Sequence, residues 1–393
     1  MSFFGAPNVA ELKLNKDVKG LLKALTFDRF TKDWGVRWYA AYVLGEIGDP
    51  CAVEPLCKAL KEKYIEVSDE AAKALAKIGD TRAVEPLCDL LRDKEKWVRR
   101  GAAWVLGKLG DTRAVEPLCA TTRDMDQGVR EAAIIALGAI GDIRCVEAVS
   151  DAVKDMDNRV REAAANTLDI VGMRPDAEVE IWYYIAKKNW EKVLPFGAEA
   201  IEPLCAVLKD KDSVIQEDAA KTLGEIADSR AVLPLCNTLR DSYIHVCKAV
   251  VKALGKIGDE RAVEPLCSII NNSNYELCKL AVDVLVKIGK PSVGLLCKSL
   301  NDSSHTMRGN AAWALSLIGD PASLASLCSA LDDSDSYVRW CAAKALAKLY
   351  QEGNIDEAGK KMILLRRTVI KHTHFDCVGR VILHEDEGID YKF

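Results

Sequence analysis

Ala52-Val-Glu-Pro-Leu-Cys57, Ala83-Val-Glu-Pro-Leu-Cys88 and Ala114-Val-Glu-Pro-Leu-Cys119 are one phrase written three times, 31 residues apart. The phrase returns at Ala262–Cys267. Weaker echoes stand at Ile201–Cys205, Ala231–Cys236, Ser292–Cys297 and Ser323–Cys328. A fixed period of this size signals a solenoid, in which one unit cannot bury its apolar face alone and stacks on its neighbours. The 393 residues could make two or three globular domains, but one continuous stack also absorbs the whole length.

Outward from the phrase, each unit has two parts. The first reads as Val98–Asp111 (VRRGAAWVLGKLGD), Val129–Asp142 or Val246–Asp259. Val98, Ala102, Val105, Leu106 and Leu109 fall at helical spacing. Gly110 then ends the helix, since glycine tolerates left-handed geometry. Asp111 follows as the N-cap of a second, shorter helix, a role repeated by Asp49, Asp80, Asp142, Asp259 and Asp320. Pro86 must lie in the first turn of that second helix, because a proline deeper inside would break it.

Ten first helices are expected, starting near Val36, Val67, Val98, Val129, Val160, Ile215, Val246, Leu277, Met307 and Val338. Asp17–Leu25 resembles a second helix without a partner and caps the stack. Two places break the period. Between Met173 and Gly197 lie extra residues that include Ile181–Trp190, an added amphipathic helix placed to bend the stack or extend its binding edge. From Gln351 onward the repeat is abandoned. The expected plan is a cap at 1–30, repeats over 31–172, an inserted helix within 173–198, repeats over 199–350 and a non-repeat tail at 351–393.

These motifs resemble the HEAT-like repeats of the phycobilisome lyase type across roughly Asp17–Leu349. The resemblance implies an all-α solenoid of about ten two-helix repeats, with the first helix of each pair lining the concave face and its variable positions turned to a partner. It implies little about chemistry, because fold does not fix function. The chain departs from the pattern in its cysteines, its insertion and its tail. The Arg of Val-Arg is kept at positions 37, 99, 130, 161, 308 and 339. It gives way to Ser68, Gln216, Cys247 and Cys278. Its expected role is to brace neighbouring turns.

A net charge of −5 argues against general nucleic-acid binding, which calls for a basic stripe. Eight of the 14 cysteines occupy one repeat position: Cys57, Cys88, Cys119, Cys205, Cys236, Cys267, Cys297 and Cys328. Equivalent positions on stacked helices lie about 8–10 Å apart, beyond the roughly 7 Å a disulfide spans. The ladder reads as reduced core thiols. No signal peptide or ~18-residue membrane span is visible, so a cytoplasmic location is expected.

Projection of the first helix at about 100° per residue gives the functional reading. The position before the opening Val, and those two and six after it, point away from the core. They hold Trp38 and Tyr42, with Trp34 close by; then Trp97, Arg100 and Trp104; then Trp313; then Tyr337 and Trp340. Six of the eight tryptophans thus fall on a face that should be polar. Clustered exposed aromatics mark binding surfaces, and Trp, Tyr and Arg dominate interface hot spots. In the tail, His372, His374, Cys377 and His384 carry donors for zinc without matching a known zinc spacing. No phosphate loop or nucleophile signature is present. The sequence therefore points to a non-enzymatic scaffold that binds another protein. The alternative is a bilin or tetrapyrrole lyase or carrier, whose ligand the same rings would stack on.

Overall fold

The computed structural model describes residues 7–27, 34–173, 176–240, 243–353 and 359–361. The chain divides into two compact units, Met1–Asn189 and Trp190–Phe393. All regular structure among the described residues is helical.

The first unit runs α1 (Val9–Leu14), α2 (Val18–Leu25), α3 (Trp34–Ile47), α4 (Val53–Ala59), α5 (Ile65–Ile78), α6 (Val84–Leu90), α7 (Lys96–Leu109), α8 (Val115–Thr121), α9 (Gln127–Ile140), α10 (Val146–Ala152), α11 (Asn158–Ile170) and α12 (Ala177–Ala186). The second runs α13 (Trp190–Val193), α14 (Ile201–Val207), α15 (Ser213–Ile226), α16 (Val232–Thr238), α17 (Ile244–Ile257), α18 (Val263–Ile269), α19 (Tyr275–Ile288), α20 (Lys290–Ser299), α21 (His305–Ile318), α22 (Leu324–Ala330) and α23 (Ser336–Gln351). The ten expected first helices are all present as α3, α5, α7, α9, α11, α15, α17, α19, α21 and α23. The short α1 was not legible from periodicity.

Each expected Asp cap forms, but on a 3₁₀ turn rather than directly on the α-helix. Asp111 accepts from the Arg113 amide at 2.9 Å, and Thr112–Ala114 winds as 3₁₀ before α8 begins. Pro86 is then the third residue of α6, where its missing N–H breaks no helical bond. At the other end of α7, Gly110 takes φ 68° and its amide donates to the Leu106 carbonyl. Ala227 stands in the same left-handed place after α15 at φ 57°.

Within each unit, consecutive first helices touch through their backbones. A Cβ on Gly107 of α7 would lie 2.7 Å from Ala136 Cα of α9, and one on Gly224 of α15 would lie 2.8 Å from Ala253 Cα of α17. Small residues at this crossing hold the helices close and leave the larger side chains one turn away standing proud of the surface.

The insertion differs from its expected form. Only Ala177–Ala186 is one helix; Lys188 turns with φ 54° before Trp190 starts a separate short helix. Helix α12 packs against α11, where Tyr183 Oη donates to Asp169 Oδ1 at 2.6 Å and Lys187 Nζ donates to Asn166 Oδ1 at 2.7 Å. Val179 and Ala186 join the buried core of the first unit. Asp169 occupies the place that Gly107 holds in α7, and there it meets Tyr183 and Lys187 of α12.

Candidate functional site: the first-helix face

The Val-Arg arginines do brace the turns. Arg99 Nη1 donates to the Asp93 and Lys94 carbonyls, at 2.9 and 3.1 Å, in the turn before its own helix. Its Nε and Nη2 grip both Asp124 oxygens, at 2.6 and 2.7 Å, in the turn before α9. Arg130 repeats the pattern on the Asp124 carbonyl and the Asp155 carboxylate. These side chains are spent on architecture, which leaves the neighbouring positions on the first helices as the surface a partner could meet.

The nine expected contact residues separate into local groups. On α3, Trp38 and Tyr42 stack with ring centroids 6.1 Å apart. Trp34 stacks on Tyr64 at 6.5 Å. Trp34 and Trp38 are exposed, whereas Tyr42 is half-buried beneath Lys13 of α1, whose Nζ lies 5.4 Å from the ring. Trp97 is half-buried and packs on the core, its Nε1 enclosed. It does not line the groove that Arg100 and Trp104, with which the projection grouped it, share. In the second unit Tyr337 and Trp340 stack at 6.0 Å, and the Tyr337 ring lies over Gly309 of α21. Trp313 is half-buried. His372, His374, Cys377 and His384 lie outside the described residues.

Arg100 and Trp104 come together at a groove of about 370 Å³ across α5, α7 and α9. Its floor is small: Ala72, Gly101, Gly107, Ala132, Ala136 and Ala139. Trp104, 39% exposed, forms one wall because these neighbours are too short to cover an indole. Ile135, 52% exposed, forms another. Sequence reasoning missed Ile135. The signal was present, since Ile135 holds on α9 the position that Trp104 holds on α7. Lys73, Arg100 and Lys108 supply positive charge to the groove, and Asp69 and Glu131 negative charge. Lys108 Nζ lies 5.6 Å from the Trp104 ring centroid, a cation–π contact.

The repeat cysteines are free thiols, buried at Cys57, Cys236, Cys267 and Cys328 and half-buried at the other four positions. Burial pushes the Cys57 thiol up to about 11 and that of Cys267 up to about 12. A thiol held protonated is a poor nucleophile, so the ladder behaves as core.

Helix pairs stacked in register make this chain an all-α solenoid. It belongs to the HEAT-repeat family: the family model described as HEAT repeats matches residues 18–97, 53–124, 115–179, 201–286 and 293–358. No curated protein matches the sequence. Similar solved structures include an engineered protein, 22% identical, covering 85% of this chain and 99% of that one with a TM-score of 0.29. Human deoxyhypusine hydroxylase in complex with glycerol is 20% identical over 87% and 99% of the two chains, with a TM-score of 0.30. The complex of CpcE and CpcF of phycocyanin lyase from Nostoc sp. PCC7120 is 19% identical over 72% and 94%, with a TM-score of 0.23. Among the described residues, no helix is long and apolar enough to cross a membrane.

Proposed function

We propose that this chain is a non-enzymatic scaffold that binds another protein through the first-helix face of its repeats, with Trp104 as an anchor in the first unit. The observation that carries the reading is an indole left exposed beside an apolar groove, on a surface whose helical register assigns it to solvent. A protein interface gains most from such a ring when a partner side chain fills the adjacent pocket and excludes water. The groove is at the small end of the roughly 300–1,000 Å³ range of ligand sites, which favours a protruding protein side chain over a whole tetrapyrrole.

The test is affinity capture from the source cell with the full chain and with Trp104→Ala, followed by purified-component titration of whatever protein is retained. Loss of a hot-spot tryptophan should weaken that interaction by about 2 kcal/mol or more, roughly 30-fold. Helical content should be unchanged by circular dichroism. Undiminished affinity in Trp104→Ala would reject this face. An absorbance shift on adding bilin, abolished by the same substitution, would instead favour a tetrapyrrole ligand.

A further inference from the structure

Resting on the reading of the first-helix face as a protein-binding surface, we infer that the Trp104 groove takes an acidic amphipathic helix: apolar side chains against Trp104 and Ile135, and carboxylates reaching Arg100 and Lys108.

Two cations of α7 carry charge that is not used internally. Elsewhere on this face of the unit, lysines are committed to acids: Lys77 to Glu46, Lys73 to Glu70, and Lys96 to Asp126 at 3.0 Å. Among the described residues, Arg100 has no carboxylate partner, and the only contact found for Lys108 is the face of Trp104. The two cations stand four residues before and four residues after Trp104 on one helix. That places them one turn above and one turn below the ring, about 12 Å apart along the axis at 1.5 Å per residue.

Two cations so spaced, with an indole between them, match a particular pattern on a partner. A helix lying along α7 presents carboxylates at the same separation if they are seven or eight residues apart. It presents apolar side chains between them at the intervening turn, the i, i+3, i+4, i+7 spacing of groove-bound helices. The groove lining extends from Gly128 to Ala139 along α9, about 16 Å at the same rise, enough for three turns of such a helix.

The two ends differ. Asp69 on α5 and Glu131 on α9 share the Arg100 end of the groove and oppose a second carboxylate there. At the other end, Lys108 is joined in the lining by Ala139 and Gly107, with no acid. Lys108 is therefore the stronger of the two electrostatic contacts, and Arg100 sets direction by contrast with its acidic neighbours.

The experiment uses the full chain and three labelled, capped helical peptides of equal length. One has leucines flanked by glutamates eight residues apart. The second has lysines in place of those glutamates. The third has the acidic composition scrambled so that no apolar stripe remains. Binding is read by fluorescence anisotropy at two salt concentrations. The acidic amphipathic peptide should bind at least about tenfold more tightly than the lysine version and weaken with salt. Lys108→Glu should remove most of that preference, Arg100→Glu less of it, and Trp104→Ala should weaken both amphipathic peptides. Equal binding of the two, preference for the lysine peptide, binding of the scrambled peptide alone, or no binding at all overturns the acidic-helix inference. A natural partner lost on Trp104→Ala would keep the protein-binding reading in any of those cases. That reading falls if its own capture test shows no dependence on Trp104.

Discussion

Helices α7–α11 and α15–α19 are built on the same plan yet are held together differently. Both stretches bring first helices into backbone contact through a glycine, Gly107 on Ala136 in one and Gly224 on Ala253 in the other. In α7–α11 the turns are also clamped. Arg99 holds Asp124, whose carbonyl takes Arg130, which holds Asp155, whose carbonyl takes Arg161 at 2.7 Å. In α15–α19 the same position carries Gln216, Cys247 and Cys278. Gln216 Nε2 donates to the Asp210 carbonyl at 2.6 Å, and Cys278 Sγ donates to the Asn272 carbonyl at 2.9 Å. These uncharged groups keep the bond to their own turn but cannot form a two-pronged ion pair with the next. The difference separates two functions of one arginine: closing its own turn, which an amide or thiol can do, and tying adjacent repeats, which needs a guanidinium.

The largest effect should come from breaking a clamp. Arg99 is buried and the Asp124 side chain is 12% exposed. Arg99→Ala would take the guanidinium from that carboxylate, which keeps the Asp126 amide, and from two turn carbonyls. A cost of about 3 kcal/mol follows from removing one partner of a mostly buried pair. Gln216→Ala removes a single neutral hydrogen bond and should cost about 1 kcal/mol. Chemical denaturation of the two variants reads the comparison directly. Equal losses would show that the cross-repeat half of the clamp contributes nothing. Native-state hydrogen exchange provides a second reading, with amides of α15–α19 opening before those of α7–α11 because fewer contacts restrain them.

A smaller effect should come from installing the clamp where it is missing. Cys247 and Asn272 stand in the same relation, 25 residues apart, as Arg99 and Asp124. Cys247→Arg with Asn272→Asp should show a favourable coupling of about 1 kcal/mol in a double-mutant cycle, although each change alone destabilises by burying an unpaired charge. Ala227→Gly, at a left-handed position that glycine fills after α5, α7, α9 and α17, should add a similar amount. If neither change stabilises α15–α19, its looser construction lies in its packing rather than in its turns and caps.

The architecture was legible because each repeat repeats its punctuation: glycine, aspartate, proline and a small-residue crossing at fixed offsets. The bracing role of the arginine was legible too. The proposed binding surface was legible only in part. A helical projection finds Arg100 and Trp104 and also turns Ile135 outward, six places after Val129, where an aliphatic side chain gives no hot-spot signal; the outward direction it gives Trp97 is overridden by packing. The burial of Trp97 depends on neighbours on adjacent helices, which one helix's register does not contain. The packing of α12 on α11 was hidden for the same reason. It rests on Asp169, at a position where five of the other nine first helices carry glycine, and on the Tyr183 and Lys187 side chains of α12 that reach it.

The smallest effect should be on acidification, and it supplies the control. A second ladder crosses both regions alike. Arg144 grips Asp142 and reaches the Thr112 carbonyl at 3.1 Å; Arg261 grips Asp259 and reaches the Ser229 carbonyl at 2.7 Å. The arginine hydrogen bond, helped by the backbone amide, holds the Asp142, Asp228 and Asp259 carboxyls down to about 2. An unfolded aspartate titrates near pH 3.9. A carboxylate held lower in the folded state therefore contributes stability above that pH and loses it progressively as pH falls from about 4 to about 2. These pairs are exposed, so each contribution is small and salt-sensitive. The expected result is a shallow, matched loss of protection in both stretches over that window, against the unequal losses in the clamp variants. An acid response confined to α7–α11 would mean that this outer ladder, present in both stretches, does not set the loss of stability at low pH.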